Sequence, residues 1–446
     1  MVANLNSSNK NVSCINHIKL NDKGEVILER RQQSNTKSLY HLLFIEFFQN
    51  TTVYIYVMTF LFSGIFCLFI LFFLIYLIIN NLIIFIQNTF HVTMVTNHKL
   101  SIFNINLVNE VHCLIIIILF IIYTIYWFCD WDSNNHGSHP RQFIRCLKIW
   151  EFLADYFPIH LVISKEFIIY NEIYKQIKQH SHSMNSIINK HTVDNEDYKN
   201  DDEMNEESLV KESLSTDVNY LVGFHPHGIL ATGAFINFAT EATGFSKVFP
   251  TFKPYLAILK AHFIAPFYRD FLMLFGMIAA TKKGLHYLLD KNSCKQTGNF
   301  VVVVLGGAPE ALDSKPGTYV MHINQRFGFF KLALKTGSYL VPCISFGEQS
   351  LYHQVPNEKG SWIRWLQDKF TSIFTVALPI FYARGPFPYR KPVYTVVGAP
   401  IQCEQIHEPT DEQVAHIKQI YKEKLRTLFE DYKAIYDPEA NDIEFV

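Results

Sequence analysis

A sizeable net charge is missing. The chain sets 39 Lys and Arg against 40 Asp and Glu, so it presents no overall field to a polyanion such as nucleic acid. None of the eight cysteines is spaced as CxxC and several fall inside apolar runs, which argues against a disulfide framework and against a cysteine zinc site. Internal repeats and an HExxH pattern are absent as well. One local absence is more informative. From Phe47 to His98 there is no Lys, Arg, Asp or Glu at all.

What fills that gap is oil. The run "YIYVMTFLFSGIFCLFILFFLIYLIINNLIIFI" exceeds the roughly 20 residues that span a bilayer. A second run, "CLIIIILFIIYTIYWFC", carries Tyr123, Tyr126 and Trp127 near its far end as interfacial anchors. The expected membrane region is 47–129, with apolar segments at about 53–86 and 113–129. The first segment reads either as one tilted helix or as a hairpin turning at Asn80-Asn81. Lys19, Lys23, Arg30, Arg31 and Lys37 precede the first run and Arg141, Arg145 and Lys148 follow the second, whereas the loop between holds only Lys99. Basic residues stay on the cytosolic side, so both ends are expected there, 1–46 as a cytosolic tail.

Beyond the membrane region, 130–179 reads as the juxtamembrane start of the folded region. The stretch 180–217 is acidic and nearly free of aromatics, a composition that cannot bury enough surface to fold alone, and is expected to be a disordered linker. Its His180, His182 and His191 read as compositional noise rather than as a metal site. In 218–446, β-rich runs ("YLVGF", "NFVVVVLGG", "YLVPCISF", "VYTVVG") alternate with helical patterns, ending in a long helix from about 411 to 432. The fold class expected is α/β, with buried strands and flanking helices behind an N-terminal transmembrane helical region.

Chemistry concentrates where strands end. "YLVGFHPHGIL" places His225-Pro226-His227-Gly228 at the carboxyl end of a strand and ahead of a helical pattern, where open α/β sheets hold their sites. Pro226 stiffens the turn. Gly228 allows close approach of a ligand and leaves helix N–H groups for an oxyanion. "VVVVLGGAPEAL" repeats the arrangement with Glu310 as a carboxylate at a second strand exit, placed to orient an imidazole or to hold a substrate's polar end. Arg326, Lys331 and Lys335 supply cations downstream.

A membrane anchor, an α/β domain and a strand-end histidine suit acyl transfer to a lipid hydroxyl, which needs a base, an oxyanion site and positioning but no metal. On these residues the chain resembles the type-2 diacylglycerol acyltransferase family, which includes monoacylglycerol acyltransferases and wax synthases. The resemblance runs from about residue 150 to the C-terminus, the acidic stretch apart. It rests on an ordered series: Tyr156-Phe157-Pro158, the His225–Gly228 signature, "PFYRDFLM" with Arg269 and Asp270, "LGGAPEAL", "RFGFFKLAL", "VPCISFGEQ" with Glu348, and "ARGPFPYRKPVYTVVGAPI". Related glycerolipid acyltransferases keep an Asp shortly after the histidine; Leu230 and Thr232 stand there in this chain.

The resemblance implies direct transfer from acyl-CoA as co-substrate, without a cofactor, to diacylglycerol. His227 is the preferred base, His225 the other candidate, and Glu310 orients the base or lines the acceptor site. Pro226, Gly228, Arg269, Asp270, Arg326, Lys331 and Glu348 are expected at the substrates, Arg269, Arg326 and Lys331 at the CoA phosphates. Monoacylglycerol or a fatty alcohol as acceptor, and a non-catalytic neutral-lipid-binding membrane protein, stay open as alternatives. The implied setting is the endoplasmic reticulum membrane, with lipid droplets as a second location and a homo-oligomer as a possible assembly.

Overall fold

The computed structural model describes residues 17–20, 26–29, 39–92, 103–171, 215–385 and 387–446. Most of the acidic stretch, His180, His182 and His191 included, lies outside these, as does Lys99. Its last three residues belong to the folded domain. Ser215 is buried, and its carbonyl accepts from the Tyr220 hydroxyl at 2.9 Å.

Nine strands form one mixed sheet: β1 (His17–Leu20), β2 (Val26–Glu29), β3 (Ile159–Ile163), β4 (Tyr220–His225), β5 (Lys253–Ile258), β6 (Met277–Ala279), β7 (Asn299–Val304), β8 (Tyr339–Phe346) and β9 (Val393–Val397). Their order is β1-β2-β3-β9-β8-β4-β7-β5-β6. The five strands from β8 to β6 are parallel, β9 runs against β8, and β3 pairs parallel with β9. The four runs read from the sequence are therefore the centre of the sheet. Two expectations change at its edge. β3 comes from before the acidic stretch, and the β1–β2 hairpin adds to β3, so part of the N-terminal tail continues the sheet.

Among the described residues, the α-helices of six residues or more are α1 (Leu39–Val92), α2 (Phe103–Cys129), α3 (Lys148–Tyr156), α4 (Tyr268–Met273), α5 (Lys282–Leu289), α6 (Gly307–Asp313), α7 (Phe327–Thr336), α8 (Trp362–Phe374) and α9 (Asp411–Tyr436). Strand alternation divides the core in two. Tyr220, Val222 and Phe224 of β4 face a layer containing part of α1, α3 and α4, while Leu221 faces α7 and α9. A capping box between Thr410 and Gln413 opens α9.

The first apolar run is one continuous helix, without a turn at Asn80-Asn81. Asn81 satisfies its side chain within the helix, Nδ2 donating to the Leu77 carbonyl at 2.8 Å. Both α1 and α2 contain segments long and apolar enough to cross a membrane, with almost none of that surface covered by protein. Side chains such as Phe66, Phe69, Leu119 and Ile122 stand exposed on them, which associates the chain with a membrane. At 54 residues α1 is about 80 Å long, far more than a hydrocarbon core of roughly 30 Å. Its earlier part is used on the domain: Val53, Tyr56 and Val57 are buried in the core.

α2 is fastened by a polar clamp. Arg269 on α4, 1 % exposed, donates Nη2 to the Asp130 carbonyl at 2.7 Å and to Asp130 Oδ2 at 3.1 Å. Asp270 accepts from the Tyr123 hydroxyl at 2.7 Å and the Tyr126 hydroxyl at 3.3 Å. Breaking a buried pair strands the other charge. Arg269→Met is expected to lower stability by about 3–5 kcal/mol, read as an earlier thermal unfolding transition of the full chain in detergent.

Candidate active site

β4, an interior strand of the sheet, ends at His225, and a turn through a cis His225–Pro226 peptide carries the chain to His227 and Gly228. The two imidazoles part company there. His225 continues the alternation of Leu221 and Gly223 and points toward α9, fully buried, its Nε2 at 3.2 Å from the Tyr421 hydroxyl. That hydroxyl donates to the Gly223 carbonyl at 3.2 Å, which makes Nε2 the protonated nitrogen. Gly223 is what admits Tyr421, because a Cβ there would lie 2.1 Å from its oxygen. Burial pushes the His225 pKa down to about 3.

His227 is held differently. Its Nδ1 lies 3.1 Å from the Gly228 carbonyl, which can only accept, so Nδ1 carries the proton and Nε2 the lone pair. Burial lowers its pKa, partly offset by the bond to Gly228. The imidazole is thus neutral near pH 7, with its basic nitrogen set by the local hydrogen bond.

Two buried carboxylates hold the turn. Glu310 at the start of α6 accepts the His227 N–H on Oε1 at 2.6 Å and the His322 N–H on Oε2 at 3.1 Å. Glu348, after β8, accepts the N–H of Thr232 on Oε1 at 2.6 Å and of Gly233 on Oε2 at 2.8 Å. Burial raises both carboxyls to about 7 against the lowering effect of these donors. Glycines make room for both acids. A Cβ on Gly228, whose φ is +62°, would lie 2.7 Å from Glu348 Cγ, and one on Gly306 would lie 1.9 Å from Glu310 Oε2.

Several expected roles shift accordingly. Glu310 orients the turn through the His227 backbone rather than through its imidazole. Glu348 is an interior cap for the segment after the turn, not a surface for substrate, and it takes the helix N–H groups that the sequence left for an oxyanion. Gly228 makes space for Glu348. Arg269 and Asp270 are the α2 clamp, with Arg269 closed off from any phosphate in solution. Arg326 stays near the site: its Nη2 donates to the Gly306 carbonyl at 2.5 Å, and its Nε has no partner. Lys331 stands exposed on α7.

Other neighbours carry no signature in the sequence. His262 is a half-buried neighbour of the site, its pKa lowered by desolvation and then by the repulsion that a protonated His227 would exert. His322 donates Nε2–H to Asp313 at 2.8 Å, and Asp313 also receives Arg364 at 2.6 Å. Tyr56 of α1 reaches Thr232 Oγ1 at 3.4 Å, joining the apolar helix to the turn. Asp313 stands three residues after Glu310, one helical turn on. Among the described residues no group of three or more His, Cys, Asp and Glu is placed to hold a metal ion.

A largely parallel α/β sheet, a neutral imidazole at the end of an interior strand and two lipid-directed helices define the class of a membrane-associated α/β protein with a polar strand-end site. Comparison with known proteins gives the family. Residues 109–196 and 207–446 match the family described as diacylglycerol acyltransferase. The chain is 38 % identical over 347 residues to 2-acylglycerol O-acyltransferase 1 of Bos taurus, covering 74 % of this chain and 88 % of that one. It is 36 % identical over 341 residues to diacylglycerol O-acyltransferase 2 of Homo sapiens, covering 74 % of each, and 36 % identical over 336 residues to the Danio rerio protein of that name, covering 74 % and 78 %. A solved 1-acyl-sn-glycerophosphate acyltransferase of Thermotoga maritima aligns with a TM-score of 0.30 and 14 % identity over 50 % of this chain and 70 % of that one, a likeness too weak to bear on function. The chain belongs to the diacylglycerol acyltransferase family and is an acyltransferase.

Two outcomes follow from the geometry. Gly228→Ala forces a side chain into a left-handed position against Glu348 and is expected to cost about 1–3 kcal/mol and to lower activity, measured by unfolding and by product formation in the same preparation. The titration of His225 sets a pH dependence. The unfolded chain protonates near 6.5 and the folded one only near 3, so stability from this group is complete above 6.5 and is lost as pH falls through that window. Glu310 and Glu348 act in the opposite sense, their contribution full below 4.5 and declining as pH rises toward 7. His225→Gln, whose amide nitrogen replaces Nε2, is expected to flatten the acid limb of stability against pH and leave the limb set by the carboxyls.

Proposed function

We propose that the chain transfers a fatty acyl group from acyl-CoA to the free hydroxyl of diacylglycerol, forming triacylglycerol, with His227 as general base. The observation that carries this reading is the hydrogen bond from His227 Nδ1 to the Gly228 carbonyl, which leaves Nε2 as a neutral basic nitrogen at the rim of the sheet. In the reaction Nε2 takes the hydroxyl proton as the oxygen attacks the thioester carbonyl. The tetrahedral oxyanion then collapses, the C–S bond breaks, and the imidazolium returns the proton to the departing CoA thiolate. No covalent acyl-enzyme is needed, because a thioester is already activated.

The amides of Gly228 and Ile229 make no hydrogen bond among the described residues and are the donors nearest to hand for the oxyanion. Arg326, with Nε unpartnered, and the exposed Lys331 one turn along α7 are the cations suited to the CoA phosphates. His225 supports the fold through Tyr421 instead of acting on substrate. The same chemistry serves monoacylglycerol, the acceptor class in the name of the bovine relative above. The setting that fits is the endoplasmic reticulum membrane, with both ends of the chain and the site on the cytosolic side where acyl-CoA is made.

Membranes carrying the chain, supplied with labelled acyl-CoA and in turn diacylglycerol, monoacylglycerol or a long-chain alcohol, test the reading. His227→Asn keeps a donor at the Nδ1 position and removes Nε2, so a loss of about 10²–10⁴-fold is expected in a folded protein. His225→Gln is expected to stay within about tenfold of the parent, as suits a group that shapes the fold without touching substrate. Near-parental rates in His227→Asn would remove His227 from the chemistry, and product from monoacylglycerol alone would overturn the diacylglycerol assignment.

A further inference from the structure

α8 is built inside out. Its polar residues Arg364 and Gln367 face the protein. Arg364, 8 % exposed, donates to Asp313 Oδ1 at 2.6 Å and to Asp368 Oδ1 at 3.0 Å, and Gln367 links Asn357 and the Leu378 carbonyl. Its large apolar side chains face away: Trp362 is 74 %, Trp365 62 % and Ile373 70 % exposed, with Leu366 and Phe374 beside them. A helix on a water-facing surface buries its apolar stripe; this one exposes it, with Asp368 and Lys369 as the charges beside it at the surface.

The apolar surface has a direction. It continues past the helix through exposed Leu378, Ile380 and Tyr382. It then reaches α1, where the Phe387 ring lies 6.4 Å from that of Tyr54 and Arg390 donates to Asn50 Oδ1 at 3.0 Å. There it joins the outer face of α1, on which Phe47, Ile55 and Phe62 are exposed. α1 is one of the two helices whose exposed apolar surface already associates the chain with a membrane, so the patch is an extension of a lipid-facing surface. At 13 residues α8 is about 20 Å long, too short to cross a hydrocarbon core of roughly 30 Å. A paired tryptophan edge on such a helix suits the boundary between headgroups and acyl chains.

From this we infer that α8 is a third membrane contact, an interfacial helix whose Trp362, Trp365, Leu366, Ile373 and Phe374 insert into the acyl-chain boundary of one leaflet. The contact reaches the site. Arg364 holds Asp313, Asp313 holds His322, and the His322 N–H is one of the two that fix Glu310. The leaflet therefore seats the element against which the histidine turn is set. The inference rests on side-chain exposure and is independent of which hydroxyl is acylated.

Photolabelling tests it with the full chain. Purified protein is reconstituted in phosphatidylcholine vesicles containing phosphatidylcholine with an acyl-chain diazirine, irradiated, digested and mapped by mass spectrometry. Adducts are expected on 362–374 as well as on α1 and α2. In Trp362→Ser/Trp365→Ser/Ile373→Glu the α8 adducts are expected to be lost while those on α1 and α2 persist, which shows that the chain is still folded and inserted. Adducts confined to α1 and α2 in the parent protein would overturn the inference. So would a chemical cross-link from the α8 face to a second polypeptide, because that face would then be a protein interface.

Discussion

Two buried carboxylates gripping the backbone of one turn are the constraint on which the site depends. A carboxylate in a dry interior has few ways to be satisfied, and Glu310 and Glu348 meet that need with main-chain N–H groups on either side of Gly228. A backbone donor cannot rotate away as a hydroxyl can. The acids and the turn therefore fix one another. Because each carboxylate also draws on a different strand exit, β7 through Glu310 and β8 through Glu348, the turn is tied to both neighbours of β4. The glycines at 228 and 306 are the complement of this arrangement, since each occupies a place where a Cβ would strike one of the two acids.

That constraint explains why the two histidines serve different ends. Had β4 run on, residues 225 and 227 would share a face, and both rings would sink toward α9. The strand stops at His225, which completes the buried face with Tyr421, and the Glu310-held turn redirects His227. Two imidazoles separated by one residue thus sit in unlike surroundings. One has a hydroxyl neighbour and almost no affinity for a proton, the other a carbonyl that dictates its tautomer.

Much of this was legible in the sequence, and what was not has physical reasons. The four central strands announce themselves because strands buried on both faces read as unbroken apolar runs. β3, "IHLVI", sits before the acidic stretch with a histidine inside it, and β6 is three residues long, so neither carries enough pattern to stand out. Glu310 is legible as an acid at a strand exit, whereas Glu348 enters only through the family resemblance, and neither position in the sequence tells which atoms the acid meets. Spacing shows that an acid is near a turn; it does not show whether the acid meets a side chain, a ligand or a main-chain N–H. The α2 clamp of Arg269 and Asp270 is hidden for a related reason, since a charged pair near a site looks the same in sequence whether it faces substrate or clamps a helix. Tyr421, some two hundred residues from His225, could be located only by folding the chain.

The helix α1 joins the two halves of the molecule. Its length makes no sense for a simple span, and the excess is explained by the stretch that packs on the domain, where Tyr56 reaches Thr232 directly behind the histidine turn. The outer side of that same stretch is apolar and exposed. A polar site is thereby held one helix diameter, about 10 Å, from a lipid-facing surface. For an acceptor that dissolves in the bilayer this geometry shortens the passage through water to almost nothing, while the cations of α7 lie on the other layer of the sheet, with α9. With α8 seated in the same leaflet, the end of the sheet beyond which His227 lies is held against the membrane at two places instead of one. The histidine turn is then fixed both along the bilayer surface and in its tilt toward it.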